Sequence, residues 1–263
     1  MRQGNIESVG RIMKKDVLGI KINDVSIPEI VRLVEGWLAT EGKHYIVTPN
    51  PEIVMMAQKD QELKEIINKA DLAIPDGAGL KLAADIENIS PGIDVLERLV
   101  KMASDNGATV GFLGGRGEVA VKTSERLLKK YPKLKVVFAE SGGEVDKDGN
   151  SIEYDVYSIE DRKQKKAKPR YTLYSILNTD LLFVAFGPPK QEKWIASNLN
   201  KMPIKVAMGV GGAFDILSGK VPRAYGWVRS LGFEWLFRLI IQPWRIKRQL
   251  ALVKYIWLLT RGK

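Results

Sequence analysis

Four short segments carry residue types suited to handling protons, hydroxyls and phosphates, and each directly follows an apolar run. In Ala73-Ile-Pro75-Asp76-Gly77-Ala-Gly79 a carboxylate stands among proline and small residues that let a ligand approach the backbone. Asp76 is placed to act as a general base, taking the proton from an attacking hydroxyl. An Asp-Gly pair is also an ordinary turn, and aspartate an ordinary helix cap. In His44-Tyr-Ile-Val-Thr48-Pro49-Asn50 a hydroxyl and a carboxamide flank a rigid turn. Thr48 and Asn50 either position a substrate or cap the helix that follows Pro51.

The third segment runs Val110-Gly-Phe-Leu-Gly114-Gly115-Arg116-Gly117-Glu118. Glycines let amides converge on phosphate oxygens, and a helix start adds favourable partial charge, so a nucleotide diphosphate fits here. The spacing matches neither the dinucleotide fingerprint nor the P-loop. The fourth comprises Phe186-Gly-Pro-Pro-Lys190-Gln191-Glu192 and Met208-Gly-Val-Gly211-Gly212-Ala-Phe-Asp215. Lys190 and Gln191 can meet a nucleotide or sugar, or be exposed residues of a helix start. Gly211 belongs to a second close-approach loop or to a simple strand-to-helix connection.

The elements that must position these residues alternate between apolar runs and helical patterns. Strands are expected at Val17–Ile22, His44–Val47, Asp71–Ile74, Thr109–Leu113, Lys135–Ala139, Leu181–Phe186 and Lys205–Met208. Helices are expected from Ile27 to Leu38, Pro51 to Gln58, Gln61 to Asn68, Ile93 to Ser104, Glu118 to Lys130 and Lys190 to Leu199. This rhythm predicts an α/β fold: a mostly parallel, Rossmann-like sheet flanked by helices, which binds ligands beyond the carboxyl ends of its strands. The organisation changes near Leu231, giving a core over residues 1–228 and a basic, amphipathic appendage over 229–263. Two helices broken near Pro243 are expected there, neither with an apolar run long enough to span a bilayer.

The chain has 263 residues and no cysteine, which excludes a disulfide scaffold. Met1 to Asp16 is polar, without the apolar segment of a secretory signal, so export by that route is not expected. The net charge of +10 points to an anionic partner. Its distribution favours a lipid surface: from Arg229 onward eight basic residues face one acid, Glu234, and are interspersed with Phe233, Trp235, Phe237, Trp244, Tyr255 and Trp257. Aromatic side chains with one polar end suit the membrane interface. The alternative is a helix pair packed on the core. A second basic run, Arg162 to Arg170, lacks aromatic interleaving and reads as a solvated loop.

Two features invite a metal. Asp146-Lys-Asp148 has the spacing that holds a divalent cation in many nucleotide-sugar enzymes, but Gly149-Asn150 and the preceding Gly142-Gly143 mark a surface hairpin. His44 is the sole histidine, and no thiolate could join it at a zinc site.

Taken in order, Thr48-Pro-Asn, Pro75-Asp-Gly-Ala-Gly, Gly92-Ile-Asp94, Leu113-Gly-Gly, Gly187-Pro-Pro-Lys-Gln-Glu, Gly209-Val-Gly-Gly-Ala-Phe-Asp, Gly219-Lys-Val-Pro-Arg-Ala and Leu231-Gly-Phe-Glu-Trp-Leu-Phe-Arg resemble the WecG/TagA/CpsF family of bacterial glycosyltransferases. They cover Val17 to Arg248. The resemblance implies an inverting, metal-independent transfer from a UDP-sugar, typically N-acetylmannosamine, to an undecaprenyl-diphosphate-linked sugar in teichoic acid or surface polysaccharide synthesis. No cofactor is implied. Carried over, Asp76 matches the catalytic base, Thr48 a substrate-positioning hydroxyl and Gln191 a donor-site residue. Arg238, Arg245 and Arg248 are candidates for the acceptor diphosphate, on the cytoplasmic face of the membrane. The sequence departs from the family at Ile89, where an arginine is usual, in a short loop between Gly79 and Gly92, and in the long basic stretch from Ser151 to Asn178. Two rivals are a non-catalytic nucleotide or nucleic-acid binder, which lacks a recognisable motif, and a metal-dependent transferase using Asp146 and Asp148.

Overall fold

The computed structural model describes residues 12–143, 145–150 and 179–261, so the basic run at 162–170 lies outside the described residues. Strands β1 (Lys14–Val17) and β2 (Ile20–Asn23) form an antiparallel hairpin. This corrects the single strand expected over Val17–Ile22. The turn is Leu18-Gly19, both at positive φ, and Gly19 N–H donates to Asp16 Oδ1 at 2.8 Å. A leucine in that conformation carries no turn signal, which is why the apolar run reads as continuous.

The other strands form one parallel sheet: β3 (His44–Val47), β4 (Leu72–Ala73), β5 (Thr109–Gly114), β6 (Lys135–Glu140), β7 (Thr179–Ala185) and β8 (Ile204–Gly209), ordered β4-β3-β8-β7-β5-β6. The Rossmann-like reading of the sequence agrees with this sheet. Ile46, Met208, Phe183, Phe112 and Ala139 stand in register across five strands, and all are buried. Their chain neighbours Val47, Ala207, Leu182 and Leu113 point to the opposite face and are equally buried. Burial of both faces explains why these strands read as continuous apolar runs.

Helices α1 (Ile27–Leu38), α4 (Gly92–Asn106), α5 (Val119–Lys130) and the short α7 (Ala213–Leu217) supply the apolar residues packed with the Phe112 row. On the other face lie α2 (Pro51–Ala57), α3 (Gln61–Lys69) and α6 (Lys190–Asn198), with Trp194 of α6 fully buried. Burying a side chain of that size contributes roughly 2–3 kcal/mol.

Beyond Val221 the chain forms α8 (Gly226–Ser230), α9 (Glu234–Ile241), a single turn at Pro243–Arg245 and α10 (Ile246–Arg261). The break at Pro243 follows from its missing amide donor. Helix α10 packs along α2, and its Tyr255 is fully buried within the apolar cluster of the β1–β2 hairpin, α2 and α3. The C-terminal segment is thus continuous with the core through Tyr255 while displaying a different surface. No helix among the described residues is long and apolar enough to cross a membrane.

Candidate active site

Because the six strands run parallel, the segments after β3, β4, β7 and β8 emerge at one edge of the sheet. The pairing of β3 with β4 continues past the strands: Ile74 N–H donates to Val47 O at 2.9 Å and Asp76 N–H to Pro49 O at 3.0 Å. These bonds carry Asp76 alongside Thr48. Gly92, the first residue of α4, closes the group, since a Cβ there would lie 3.2 Å from Thr48 Cγ2 and 3.7 Å from Asp76 Oδ2. The Gly92 amide also favours the ionised form of the Asp76 carboxyl. A hydroxyl, a carboxylate and the amino end of a 15-residue helix therefore meet.

Asp76 keeps some solvent contact as a residue, but its carboxyl is crowded by protein. Burial, foremost, and the negative charge of Glu234 push its pKa up to about 7; the Gly92 amide and Arg238 pull the other way, and Asp94 adds a further upward push. A carboxylate poised near neutrality suits general-base work. Asp94 is itself held by Arg223, Nη2 to Oδ1 at 2.6 Å.

The loop Gly209–Gly212 after β8 is gripped from three directions. Thr48 Oγ1 donates to Gly209 O at 3.2 Å, the Gly211 amide donates to Gln191 Oε1 at 2.9 Å, and Arg238 Nη2 donates to Gly212 O at 3.3 Å. Arg238 comes from α9, so the C-terminal segment reaches into the site. Further contacts fix it there. A Cβ on Gly232 would stand 3.0 Å from Ala78 Cβ, Leu252 lies near Gly79, and Arg245 pairs with Glu52 of α2 at 3.8 Å. The side chain of Arg248 lies outside the described residues.

The structure thus brings Asp76, Thr48, Gly211 and Arg238 together, with Arg245 at the flank. Other expected site residues have structural occupations. Asn50 Oδ1 caps α2 by accepting from Ile53 N–H at 3.0 Å. Lys190 Nζ donates to Val145 O. Gln191 is buried rather than displayed at the helix start, because its oxygen serves two loop amides. A Cβ on Gly114 would stand 2.6 Å from the Ala185 carbonyl carbon, and Gly115 N–H donates to Ala185 O at 3.0 Å. That glycine pair lets β5 and β7 approach, which is a packing reason for its residue type.

Sequence reasoning missed Arg223, Glu234 and the closing role of Gly92. Asp94 and Arg223 were both visible inside motifs, but 129 positions separate them and no spacing rule links the two. Ile89, where the family pattern has arginine, packs partly buried against the apolar cluster that contains Tyr255. Asp146 spends its carboxylate on the amides of Asp148 and Asn150, at 2.9 and 2.8 Å, and on the Asn150 side chain. His44 stacks on Trp37 at 4.5 Å and bonds Asp71 at 3.0 Å, a structural setting.

Residues 15–263 match the model of the glycosyl transferase WecG/TagA/CpsF family. Two similar proteins, from Staphylococcus aureus strains MRSA252 and NCTC 8325 / PS 47, are each named N-acetylglucosaminyldiphosphoundecaprenol N-acetyl-beta-D-mannosaminyltransferase. Each is 29% identical over 265 residues, covering 98% of this chain and 96% of the relative.

Proposed function

We propose that this chain, which belongs to the WecG/TagA/CpsF family of glycosyl transferases, moves N-acetylmannosamine or a related hexose from a UDP-sugar to a polyprenyl-diphosphate-linked N-acetylglucosamine. The observation that carries the reading is the meeting of Asp76 and Thr48 at Gly92, with Arg238 close enough to act on the Asp76 charge. In the proposed step the acceptor hydroxyl oxygen bonds to the anomeric carbon as the bond to UDP breaks. Its proton passes to Asp76, and UDP departs with the bonding electron pair. Attack opposite the leaving group inverts the anomeric centre. Asp76, neutral after the step, returns its proton to solvent.

Thr48 lies at van der Waals range of the same glycine and holds the β8 loop, so it sets where the donor sits relative to the base. Arg238 has a buried Nε without a hydrogen-bond partner among the described residues, a donor suited to a diphosphate oxygen. Arg245, which pairs with Glu52 of α2, is assigned the same class of ligand.

The lipid-linked acceptor accounts for the outer surface of the C-terminal segment. Tyr225, Trp227, Leu231, Ile240, Trp244 and Leu250 are exposed, Trp244 by 72%, in company with Arg229 and Lys254. An apolar surface of this kind bordered by cations fits the headgroup boundary of an anionic bilayer. The protein is thereby assigned to the cytoplasmic face of the membrane as a peripheral enzyme of teichoic acid or surface polysaccharide synthesis. Membership of a transferase family gives no support to the rival reading of a non-catalytic nucleic-acid binder.

The test is a screen of UDP-sugars against a short-chain lipid-diphosphate N-acetylglucosamine, read by UDP release and product mass. A disaccharide-lipid product formed from UDP-N-acetylmannosamine supports the reading. Release of UDP without a glycosylated lipid from any donor contradicts it.

A further inference from the structure

Gln191 and Glu192 follow Lys190 in the first turn of α6 and are each only 1% exposed, an unusual fate for two polar residues there. The Gln191 oxygen accepts from the Gly187 amide at 3.1 Å and the Gly211 amide at 2.9 Å. One side chain thus ties the turn after β7 to the turn after β8. Both glycines hold positive φ, 77° and 50°, and a Cβ on Gly209 would fall 3.0 Å from Gln191 Nε2. The loops are shaped around this amide.

A primary amide has two ends, and only one is useful here. Turned over, Gln191 would present N–H groups to two backbone donors and leave all of them unpaired in a buried place. What fixes the orientation is the neighbouring residue: Gln191 Nε2 donates to Glu192 Oε1 at 2.8 Å. The second oxygen of Glu192, Oε2, is buried without a hydrogen-bond partner among the described residues. Burial pushes this carboxyl up to about 7, so near neutrality it readily carries a proton, leaving Oε1 as the acceptor.

We infer that Glu192 is a positioning residue for the donor side of the site: by orienting Gln191 it holds the Gly187 and Gly211 turns in the arrangement that receives the UDP-sugar. The identity of the ligand rests on the transferase reading; the orienting role does not. The loop so held is the one that Thr48 and Arg238 grip at Gly209 and Gly212. Glu192 touches no reacting atom. It acts through Gln191.

The experiment compares Glu192→Met, Glu192→Gln, Gln191→Met and the double Met variant in the full chain. Hydrogen exchange is followed on peptides containing Gly187 and Gly211, and UDP affinity by calorimetry. Michaelis constants are measured separately for donor and acceptor. Glu192→Met is expected to speed exchange at both turns, to weaken UDP binding and to raise the donor Michaelis constant by about tenfold, with the acceptor constant within about twofold. Glu192→Gln, whose carbonyl can still accept from Gln191, is expected to stay within about twofold of the parent in UDP affinity and both Michaelis constants, and to exchange no faster than the parent at either turn. The double variant should be no worse than Gln191→Met alone. Unchanged exchange and unchanged UDP affinity in Glu192→Met overturn the inference, as does a Glu192→Gln variant that is folded but as impaired as the Met one. Should the parent bind no UDP, the exchange arms still decide the orienting role, and the transferase reading fails separately.

Discussion

Arg238 Nη2 lies 3.3 Å from the carbonyl oxygen of Gly212, joining a helix of the C-terminal segment to a loop whose other end is held by Thr48. The contact makes the outer segment part of the site. Arg238→Lys keeps the charge but loses the planar fork that can hold a carbonyl and a phosphate together. It is expected to lower kcat/KM by about tenfold or more, chiefly through the acceptor or diphosphate terms, while melting within a few degrees of the parent. Steady-state kinetics with each substrate varied in turn checks this.

The base should declare itself in the pH dependence. As the proposed base, Asp76 would act only when ionised, so kcat/KM is expected to rise with pH through about 7 and then level. Glu234→Gln removes a negative neighbour, makes ionisation easier and moves the rise to lower pH. Replacing Arg238 with glutamine removes a positive neighbour and moves it to higher pH. Opposite displacements in the two variants, read from pH–rate profiles, test the charge arrangement independently of absolute activity.

Gly92 is the residue against which Thr48 and Asp76 both rest. In Gly92→Ala the new methyl would lie 3.2 Å from Thr48 Cγ2, so the threonine must shift by a few tenths of an ångström. Activity is expected to fall by roughly tenfold, because reacting groups are sensitive to small displacements. A thermal melt should move little, since alanine suits a helix start.

The buried carboxyl of Glu192 makes a statement about stability. Its folded pKa of about 7 lies above the ordinary 4.5, so the folded state holds the proton more firmly than the unfolded chain. The associated stabilisation is full below 4.5, declines as pH rises from there through about 7, and is absent at alkaline pH. Glu192→Gln cannot ionise. Parent and variant should melt alike near pH 4, with the variant more stable by about 2–3 kcal/mol near pH 8.

How much of this was legible in the sequence follows from the physics of each feature. The sheet could be read because both of its faces are buried and its strands are apolar throughout. The convergence of Thr48 with Asp76 could be anticipated, since parallel strands deliver their carboxyl ends to one edge. The Leu18-Gly19 turn could not, because leucine does not announce a left-handed conformation. Nor could the inward direction of Gln191 and Glu192, whose residue types at a helix start ordinarily meet solvent. The Asp94–Arg223 pair depends on tertiary folding across four strands, which no local pattern encodes.

Membrane binding is better tested by point substitution than by truncation. Removing everything after Ser230 would uncover the apolar cluster around Tyr255 and delete Arg238, confounding binding with folding and chemistry. Trp227→Ser with Trp244→Ser alters exposed side chains only, 67% and 72% accessible. The pair is expected to reduce sedimentation with anionic liposomes by about tenfold at unchanged melting temperature, and the parent's binding should weaken with added salt.

The central claim is that Asp76 deprotonates an acceptor hydroxyl during sugar transfer. Its most direct measurement is UDP release by the full chain given UDP-N-acetylmannosamine and a lipid-diphosphate N-acetylglucosamine, compared between the parent and Asp76→Asn. Release is expected only when both substrates are present, with a loss of about 10²–10⁴-fold in the variant and UDP affinity and melting temperature retained. A folded Asp76→Asn protein that turns over at the parental rate would contradict it.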